Sequence, residues 1–230
     1  MRIWLYTVCW NEEVLLPHFL QHYSLCERII IYDNQSTDQS RNIINSFSNT
    51  EIRQYWTNNE IRDDLYLEIK NNAWKEARNI ADYVIVCDID EFLYPLTIKK
   101  DRTTLIKAEG YMMYADKTPS LFPIIYEQFI EGVKWDKYSK TCIFNPTKIL
   151  EINYQPGAHT CNPTGVINYG TPLKLLHYSY LGEKYKDQRY ASLKKRLGDR
   201  FQWARKQYSF TPKQDRLWIK NKFKHKKNVL

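Results

Sequence analysis

The chain has 230 residues, 43% of them hydrophobic and 26% charged, a balance that excludes disordered, collagen-like and coiled-coil classes. A chain of this length buries roughly 70% of the surface it exposes when unfolded, so one compact domain with its own core is expected. The net charge of +8 is uneven: Lys184–Leu230 holds 16 Lys+Arg against 3 Asp+Glu, whereas the first 183 residues hold 18 against 23.

No apolar run reaches the roughly 18 residues of a membrane span. The opening MRIWLYTVCWNEE reads as a strand that runs into Asn11 and two glutamates, not as a leader or an anchor. Cys9, Cys26, Cys87, Cys142 and Cys161 are odd in number and contain no C-x-x-C pair. Neither a disulfide framework nor a zinc ribbon fits, and a reducing, cytoplasmic setting is expected.

Arg2–Val8 is a β-rich apolar run, and Leu16, Phe19, Leu20 and Tyr23 recur at helical spacing within Glu13–Leu25. Pro17 falls in the first turn of that helix, where it is tolerated. RIIIYD, Arg28–Asp33, is a second buried strand, and Ser36 or Thr37 is placed to cap a helix that reaches Phe47. Ile52–Trp56 reads as a third strand, Leu65–Ala81 as a helix and YVIVC, Tyr83–Cys87, as a fourth strand that stops at DIDE. This alternation predicts an α/β domain with a mostly parallel, Rossmann-like sheet flanked by helices, its ligands bound at the carboxyl ends of the strands. Asn11-Glu12, Asp33-Asn34 and Asp88-Ile89-Asp90 all fall at such ends. After Tyr94 the signals shorten to strands at Gly110–Tyr114, Thr141–Phe144 and Leu173–Tyr178, and helical propensity returns from Lys184 to Leu197 and near Arg205 and Lys213.

Asp88 and Asp90 flank Ile89 directly after a buried strand, so both carboxylates project from the sheet edge. Carboxylates held that close repel one another and are stabilised by a divalent cation with hard oxygen ligands, which a diphosphate would complete. His18 and His22 lie four apart on a helix without a third ligand nearby, and are read as helix-face residues.

TVCWNEE, the strand with DNQSTDQS, and YVIVCDIDEFL together resemble the nucleotide half of GT-A-fold glycosyltransferases of the family 2 type. The subgroup with D-x-D-E-F, a later Lys before a strand and a late His-Tyr pair is the most similar. Met1–Tyr94 carries most of the resemblance, and SKTCIFNP, GAHT and LLHYSY extend it loosely over Tyr138–Tyr180. The resemblance implies a nucleotide-sugar donor, UDP-linked by preference, a Mn²⁺ or Mg²⁺ ion, and transfer of the sugar to a hydroxyl of a glycan or glycoconjugate. It implies one GT-A-type domain over 1–182, with 1–94 as nucleotide half and 95–182 as acceptor-side half, and a basic helical extension over 183–230.

By matching position, the resemblance places Thr7, Cys9, Asn11 and Glu12 beside the nucleoside, Asp33 on the base and Asp88 on the ribose or the metal. Asp90 becomes a direct metal ligand, with His177 as the third and His159 as the alternative. Lys140 and His159 would face the diphosphate. Each has a plainer reading: an Asx turn or helix cap for Asp33, first-turn capping for Asn11 and Glu12, a core histidine for His177, an exposed salt bridge for Lys140. Lys70, Asn71 and Asn72 lie within reach of the donor or on a solvated helix face. Glu91 fits either support for its neighbours or the acceptor pocket. For the catalytic base of an inverting transfer, Asp116 is the first choice, ahead of Glu131 and Asp136.

A nucleotidyltransferase acting on a sugar phosphate would also use paired aspartates, but normally brings a Gly- or Lys-rich loop after the first strand, and TVCWNEE has neither. A dinucleotide-binding oxidoreductase is disfavoured by the absence of G-x-G-x-x-G. The basic tail, interleaved with aromatic residues, suits an anionic membrane face or another polyanion, with nucleic acid the least favoured. Its expected arrangement has Tyr190, Phe201 and Trp203 packed on the body and the final KFKHKK free.

Overall fold

The computed structural model of the chain describes residues 1–99, 101–197 and 212–230. Its first part follows the predicted alternation: β1 (Ile3–Cys9), α1 (Leu16–His22), β2 (Arg28–Asp33), α2 (Ser40–Asn45), β3 (Thr50–Gln54), α3 (Asp63–Asn72) and β4 (Tyr83–Val86). These four strands are parallel in the order β3-β2-β1-β4, with Leu5 beside Ile29 on one side and Ile85 on the other. Parallel strands covered on both faces read as unbroken apolar runs, which is why RIIIYD is legible as a strand with the bounds observed. Leu16, Phe19 and Leu20 of α1, and Tyr23 that ends it, are all buried in the core.

Two helices are shorter than their periodicity implies. Helix α3 ends at Asn72 and tightens into a 3-10 turn over Ala73–Ala77, because the Asn71 side chain is engaged with the backbone of Tyr154 and Trp74 turns inward against Phe144. Helix α2 has no side-chain cap: the Ser36 hydroxyl accepts a bond from the Asn11 amide instead.

The later elements are β5 (Glu91–Tyr94), β6 (Leu105–Met113), α4 (Ile125–Gln128), β7 (Glu131–Lys134), β8 (Lys140–Phe144), β9 (Ile149–Glu151), β10 (Thr164–Gly165), β11 (Lys174–His177), α5 (Glu183–Lys194), α6 (Pro212–Lys222) and β12 (Lys227–Asn228). Ten strands form one sheet, and β9 and β10 form a separate pair. The sheet is mixed, which corrects the mostly parallel expectation. Strand β8 runs antiparallel to both β4 and β6, and the pairs β6–β7, β7–β12 and β5–β11 are antiparallel too. Parallel neighbours need a crossover that carries the chain back to the end where the previous strand began; after β6 the chain instead turns at the end where that strand stops and comes back as β7, which makes the pair antiparallel.

Strand β6 changes partners midway. Its first half pairs with β8, its second with β7 and, in parallel, with β11. Gly110 sits at the switch, where a Cβ would lie 2.4 Å from the Tyr138 carbonyl carbon, so only glycine lets the 3-10 turn Asp136–Tyr138 cross the strand there.

The described parts of 183–230 are built into the body. Lys186 and Arg196 are buried, Tyr190 is half-buried, and Phe223 packs with Tyr114 and Tyr180. KFKHKK is not free: Lys226 pairs with Glu131, Lys227 aligns with Gly132 in the sheet, and Val229 is buried in the main core. The reason is edge pairing, since β7 offers an open edge and β12 covers it. Phe201, Trp203 and the helix expected near Arg205 lie outside the described residues. Among the described residues, no helix is long and apolar enough to cross a membrane.

Candidate active site

The carboxyl ends of β1 and β2 are stitched together by polar side chains. Thr7 is buried in β1, and Cys9 lies beside Asp33 in register, its thiol pushed up by burial and 3.8 Å from the Ser36 hydroxyl. Asn11 adopts a left-handed conformation (φ 52°), and its side chain accepts from the Thr37 amide at 2.7 Å and donates to the Thr37 hydroxyl at 3.3 Å. Asp33 is fully buried. Its carboxylate accepts the amide of Ser36, three residues on, at 3.2 Å and lies 3.7 Å from the Arg41 guanidinium. Asn34 and Thr57 exchange side-chain hydrogen bonds beside it.

Glu12 was read as a nucleoside contact, and its carboxylate is held by Arg189 of α5, whose guanidinium also donates to the carbonyls of Trp10 and Asn11. Burial pushes the Glu12 carboxyl up to about 7 in spite of Arg189, with the nearby Asp90 charge acting in the same upward direction. Arg196, just past α5, lies 3.8 Å from the centroid of the Trp10 ring and donates to the carbonyls of Asn59 and Glu60.

A second cluster gathers where β4 ends. Ile89 turns into the core and leaves Asp88 and Asp90 on the rim, while Glu91 begins β5 almost wholly buried. Lys140, the first residue of β8, is 1% exposed and donates to Asp88 at 2.9 Å and to both Glu91 oxygens at 2.7 and 2.8 Å. Lys70 of α3 reaches the other Asp88 oxygen at 2.5 Å. Burial alone would raise the Asp88 carboxyl; Lys140 and Lys70 outweigh it and hold the group far below the usual carboxylate range. The same two carboxylates keep the Lys140 ammonium charged against its burial.

Asp90 pairs instead with His177. The Asp90 carboxylate is 3.1 Å from His177 Nε2, a contact that raises the imidazole against the downward pull of burial. Antiparallel pairing of β11 with β5 sets His177 opposite Glu91, and this register delivers the histidine to Asp90. Tyr138, whose backbone crosses Gly110, sets its ring edge-on to His177 at 4.2 Å and 5.8 Å from the His159 ring. Burial and the neighbouring Lys140 charge push His159 down to about 4, so it is neutral at pH 7. The Nδ1 atoms of His159 and His177 are buried without a hydrogen-bond partner.

These distances test the fit of a metal. Two atoms each about 2.1 Å from one small divalent cation, at right angles, lie about 3.0 Å apart. Asp90 Oδ2 and His177 Nε2 match that spacing, whereas both oxygens of Asp88 are engaged by ammonium groups. Among the described residues, no group of three or more His, Cys, Asp or Glu side chains is gathered for a metal. The pair therefore fits two positions of a shell whose others a ligand would fill.

Lys70, Asp88, Asp90, Glu91, Lys140, His159 and His177 thus come together across four strands and a helix. Asp116 does not join them by any described contact; it is exposed beyond the end of β6. Glu131 pairs with Lys226, and Asp136 begins the exposed 3-10 turn that carries Tyr138. His18 is buried, and His22 packs against Phe92 and Tyr126, so neither belongs to an exposed helix face. Arg189 and Tyr138 were not anticipated. The glycine at 110 is the local signal for Tyr138, and no local signal marks Arg189.

No family model and no curated protein matches the chain. Solved structures with a related arrangement include glucosyl-3-phosphoglycerate synthase from Mycobacterium tuberculosis in complex with Mn²⁺, uridine diphosphate and glucosyl-3-phosphoglycerate. It is 12% identical over 86% of this chain and 81% of that one, with a TM-score of 0.43. A second is 4-diphosphocytidyl-2C-methyl-D-erythritol synthase, 10% identical over 64% and 75% of the two chains, with a TM-score of 0.36. HddC from Yersinia pseudotuberculosis is 12% identical over 85% and 99%, with a TM-score of 0.37. Likeness at this level establishes neither a shared family nor a shared activity.

Proposed function

We propose that the chain is a GT-A-type glycosyltransferase that moves a hexosyl group from a nucleoside-diphosphate sugar, UDP-linked by preference, to a hydroxyl of a glycan or glycoconjugate. The observation that carries this reading is the Asp88 carboxylate clasped by Lys70 and Lys140 at the end of β4, next to the Asp90–His177 pair. Two buried or half-buried ammonium groups converging at the carboxyl edge of a parallel sheet suit a diphosphate, whose oxygens would compete with Asp88 for them.

In this reading the nucleoside lies along Thr7, Cys9, Asn11, Glu12 and Asp33, and Asp88 faces the ribose. Neutral His159 offers the diphosphate a hydrogen bond and no charge. Asp90 and His177 would hold Mn²⁺ or Mg²⁺, which would supply positive charge to the departing diphosphate. The bond between the anomeric carbon and the diphosphate oxygen breaks as the acceptor oxygen attacks from the opposite face, inverting the centre, and Asp116 takes the hydroxyl proton.

Calorimetric titration of UDP, AMP and NAD, with and without Mn²⁺, tests this in the wild type and in Asp90→Asn and His177→Gln. UDP should bind best and only with the metal, and each variant should lose about tenfold or more in UDP affinity with its melting temperature nearly unchanged. Equal affinity for AMP, or UDP binding indifferent to both Mn²⁺ and the two substitutions, would overturn the proposal.

A further inference from the structure

On the far side of Asp116 from the charged cluster, the loop after β6, helix α4 and strands β7 and β12 enclose a cleft of about 540 Å³. A second hollow of about 450 Å³ continues it, with Lys117, Gln128 and Phe129 common to both. Each volume lies within the range that takes a sizeable small-molecule ligand, so together they exceed what one sugar ring fills.

The cleft is tied to the site already described by the sheet. Strands β6 and β11 run parallel with His177 beside Met112, and the two chains pair again where Ala115 meets Leu181. Asp116 therefore lies four residues, about 13 Å, beyond the level of His177 in the same direction. The turn into α5 presses on it from one side: Gly182 has φ +83°, and a Cβ there would lie 2.6 Å from the Asp116 carbonyl oxygen. Helix α5 then runs on to Arg189, which holds Glu12. The turn that backs Asp116 thus leads into the helix that holds Glu12 farther along.

The chemistry of the lining is specific. Part of it is fixed: Gln128 is bonded to Ser120 in both directions, and Lys226 pairs with Glu131 beneath the Tyr114 ring. Against these fixed walls, Asp116, Lys117 and Asn228 are exposed, and no hydrogen bond or ion pair engages their side chains among the described residues. One carboxylate, one ammonium and one amide offer acceptors and donors whose charges cancel, with the Phe129 ring beside them. A phosphate or a sulfated chain would meet Asp116 and Glu131 as well as the lysines, and an acyl chain would strand all the polar groups. A ligand with many hydroxyls, no net charge and flat C–H faces satisfies every one.

We propose that this cleft binds the acceptor, and that the acceptor is a neutral oligosaccharide of more than one sugar unit, held by Asp116, Lys117 and Asn228. The acceptor role rests on the transferase reading above; the saccharide site does not.

The probes are neutral tetrasaccharides (maltotetraose, cellotetraose and chitotetraose) and a heparin-derived tetrasaccharide as the anionic counterpart. Binding is read by saturation-transfer NMR and mapped by hydrogen exchange, with UDP and Mn²⁺ affinity measured in parallel. At least one neutral probe should protect amides within 114–131 and 226–229. The double variant Lys117→Ala/Asn228→Ala should weaken that binding about tenfold while leaving UDP affinity as in the wild type. Protection elsewhere, no neutral probe bound by a protein that does bind UDP, an unaffected double variant, or preference for the heparin fragment would each overturn the proposal. Saccharide protection in the cleft of a protein that fails to bind UDP would sink the transferase reading and leave the saccharide site standing.

Discussion

The first 94 residues and the rest of the chain are built on different principles. In the first part β1, β2 and β4 are largely continuous apolar runs, each of the first three helices returns the chain to a parallel strand, and β1, β2 and β3 are neighbours both in sequence and in the sheet. In the second part β6 serves three partners, β8 inserts antiparallel between β6 and β4, and the last short strand closes an edge nearly a hundred residues away. The candidate site lies where the two meet. The first part supplies Asp88 and Asp90, and the second supplies Lys140, His159 and His177. An architecture written in local periodicity thus presents the acids, with Lys70 beside Asp88, and one written in long-range register adds Lys140 and His177 against them.

Removing the main cation from that junction should have the largest effect. Lys140→Met leaves Glu91 buried without its cation and Asp88 on the rim with one fewer, and breaking a buried pair in this way costs about 3–5 kcal/mol. Lys70→Met removes a more accessible lysine and leaves Asp88 with Lys140, so it should cost about 1 kcal/mol. Urea denaturation of the two variants ranks them directly. Equal midpoints would mean that the second half does not anchor the first through Lys140.

Next in size is the chain end. Deleting Lys227–Leu230 removes the β12 edge pairing and the buried Val229 side chain, worth about 1.5–3 kcal/mol. For a protein of this size that lowers the melting temperature by roughly 3–12 °C. A free basic tail would leave it unchanged, so a scanning-calorimetry trace of the truncated chain decides between the two.

Both effects bear on what was legible beforehand. RIIIYD could be read because burial on both faces demands apolar residues in succession. Glu91–Tyr94 could not be read as a strand from its four residues; it is one because β11 pairs with it, and that same pairing carries His177 to Asp90. The D-x-D and His-Tyr motifs were visible as sequence, and their meeting was a matter of register. Arg189 was hidden for a different reason. Helix α5 has no apolar stripe and docks through cations on carbonyls and on the Trp10 ring, so hydrophobic periodicity has nothing to report. KFKHKK reads as solvated because its lysines outnumber its one buried aromatic, while the residues that fix it are the unpaired edge of β7 and Val229.

The smallest expected effect probes the same junction through pH. His22 of α1 meets one group of its own part and one of the second: Nε2 lies 3.0 Å from the Leu93 carbonyl oxygen and Nδ1 3.4 Å from the hydroxyl of Tyr126, on α4. The carbonyl can only accept, so Nε2 carries the proton and Nδ1 receives the Tyr126 hydrogen bond, an arrangement that only neutral imidazole satisfies. Burial pushes His22 down to about 4, with the Leu93 bond acting weakly upward, whereas an unfolded histidine titrates near 6.5. Between those values the unfolded chain binds a proton that the folded one refuses. The contribution of His22 to stability is therefore complete above about pH 6.5, is lost as pH falls towards 4, and is gone below it. Gln at this position still donates to Leu93 but does not titrate, so His22→Gln should flatten part of the acid slope. His159 is depressed in the same direction and adds a slope of its own, so the informative quantity is the difference between wild type and variant at each pH. Urea midpoints at pH 7, 6, 5 and 4 should show that difference moving in favour of the variant as acid is added. Parallel profiles would mean that the contact between α1 and the second half tolerates a charged imidazole, and that the two parts are less tightly joined at this point than at Lys140.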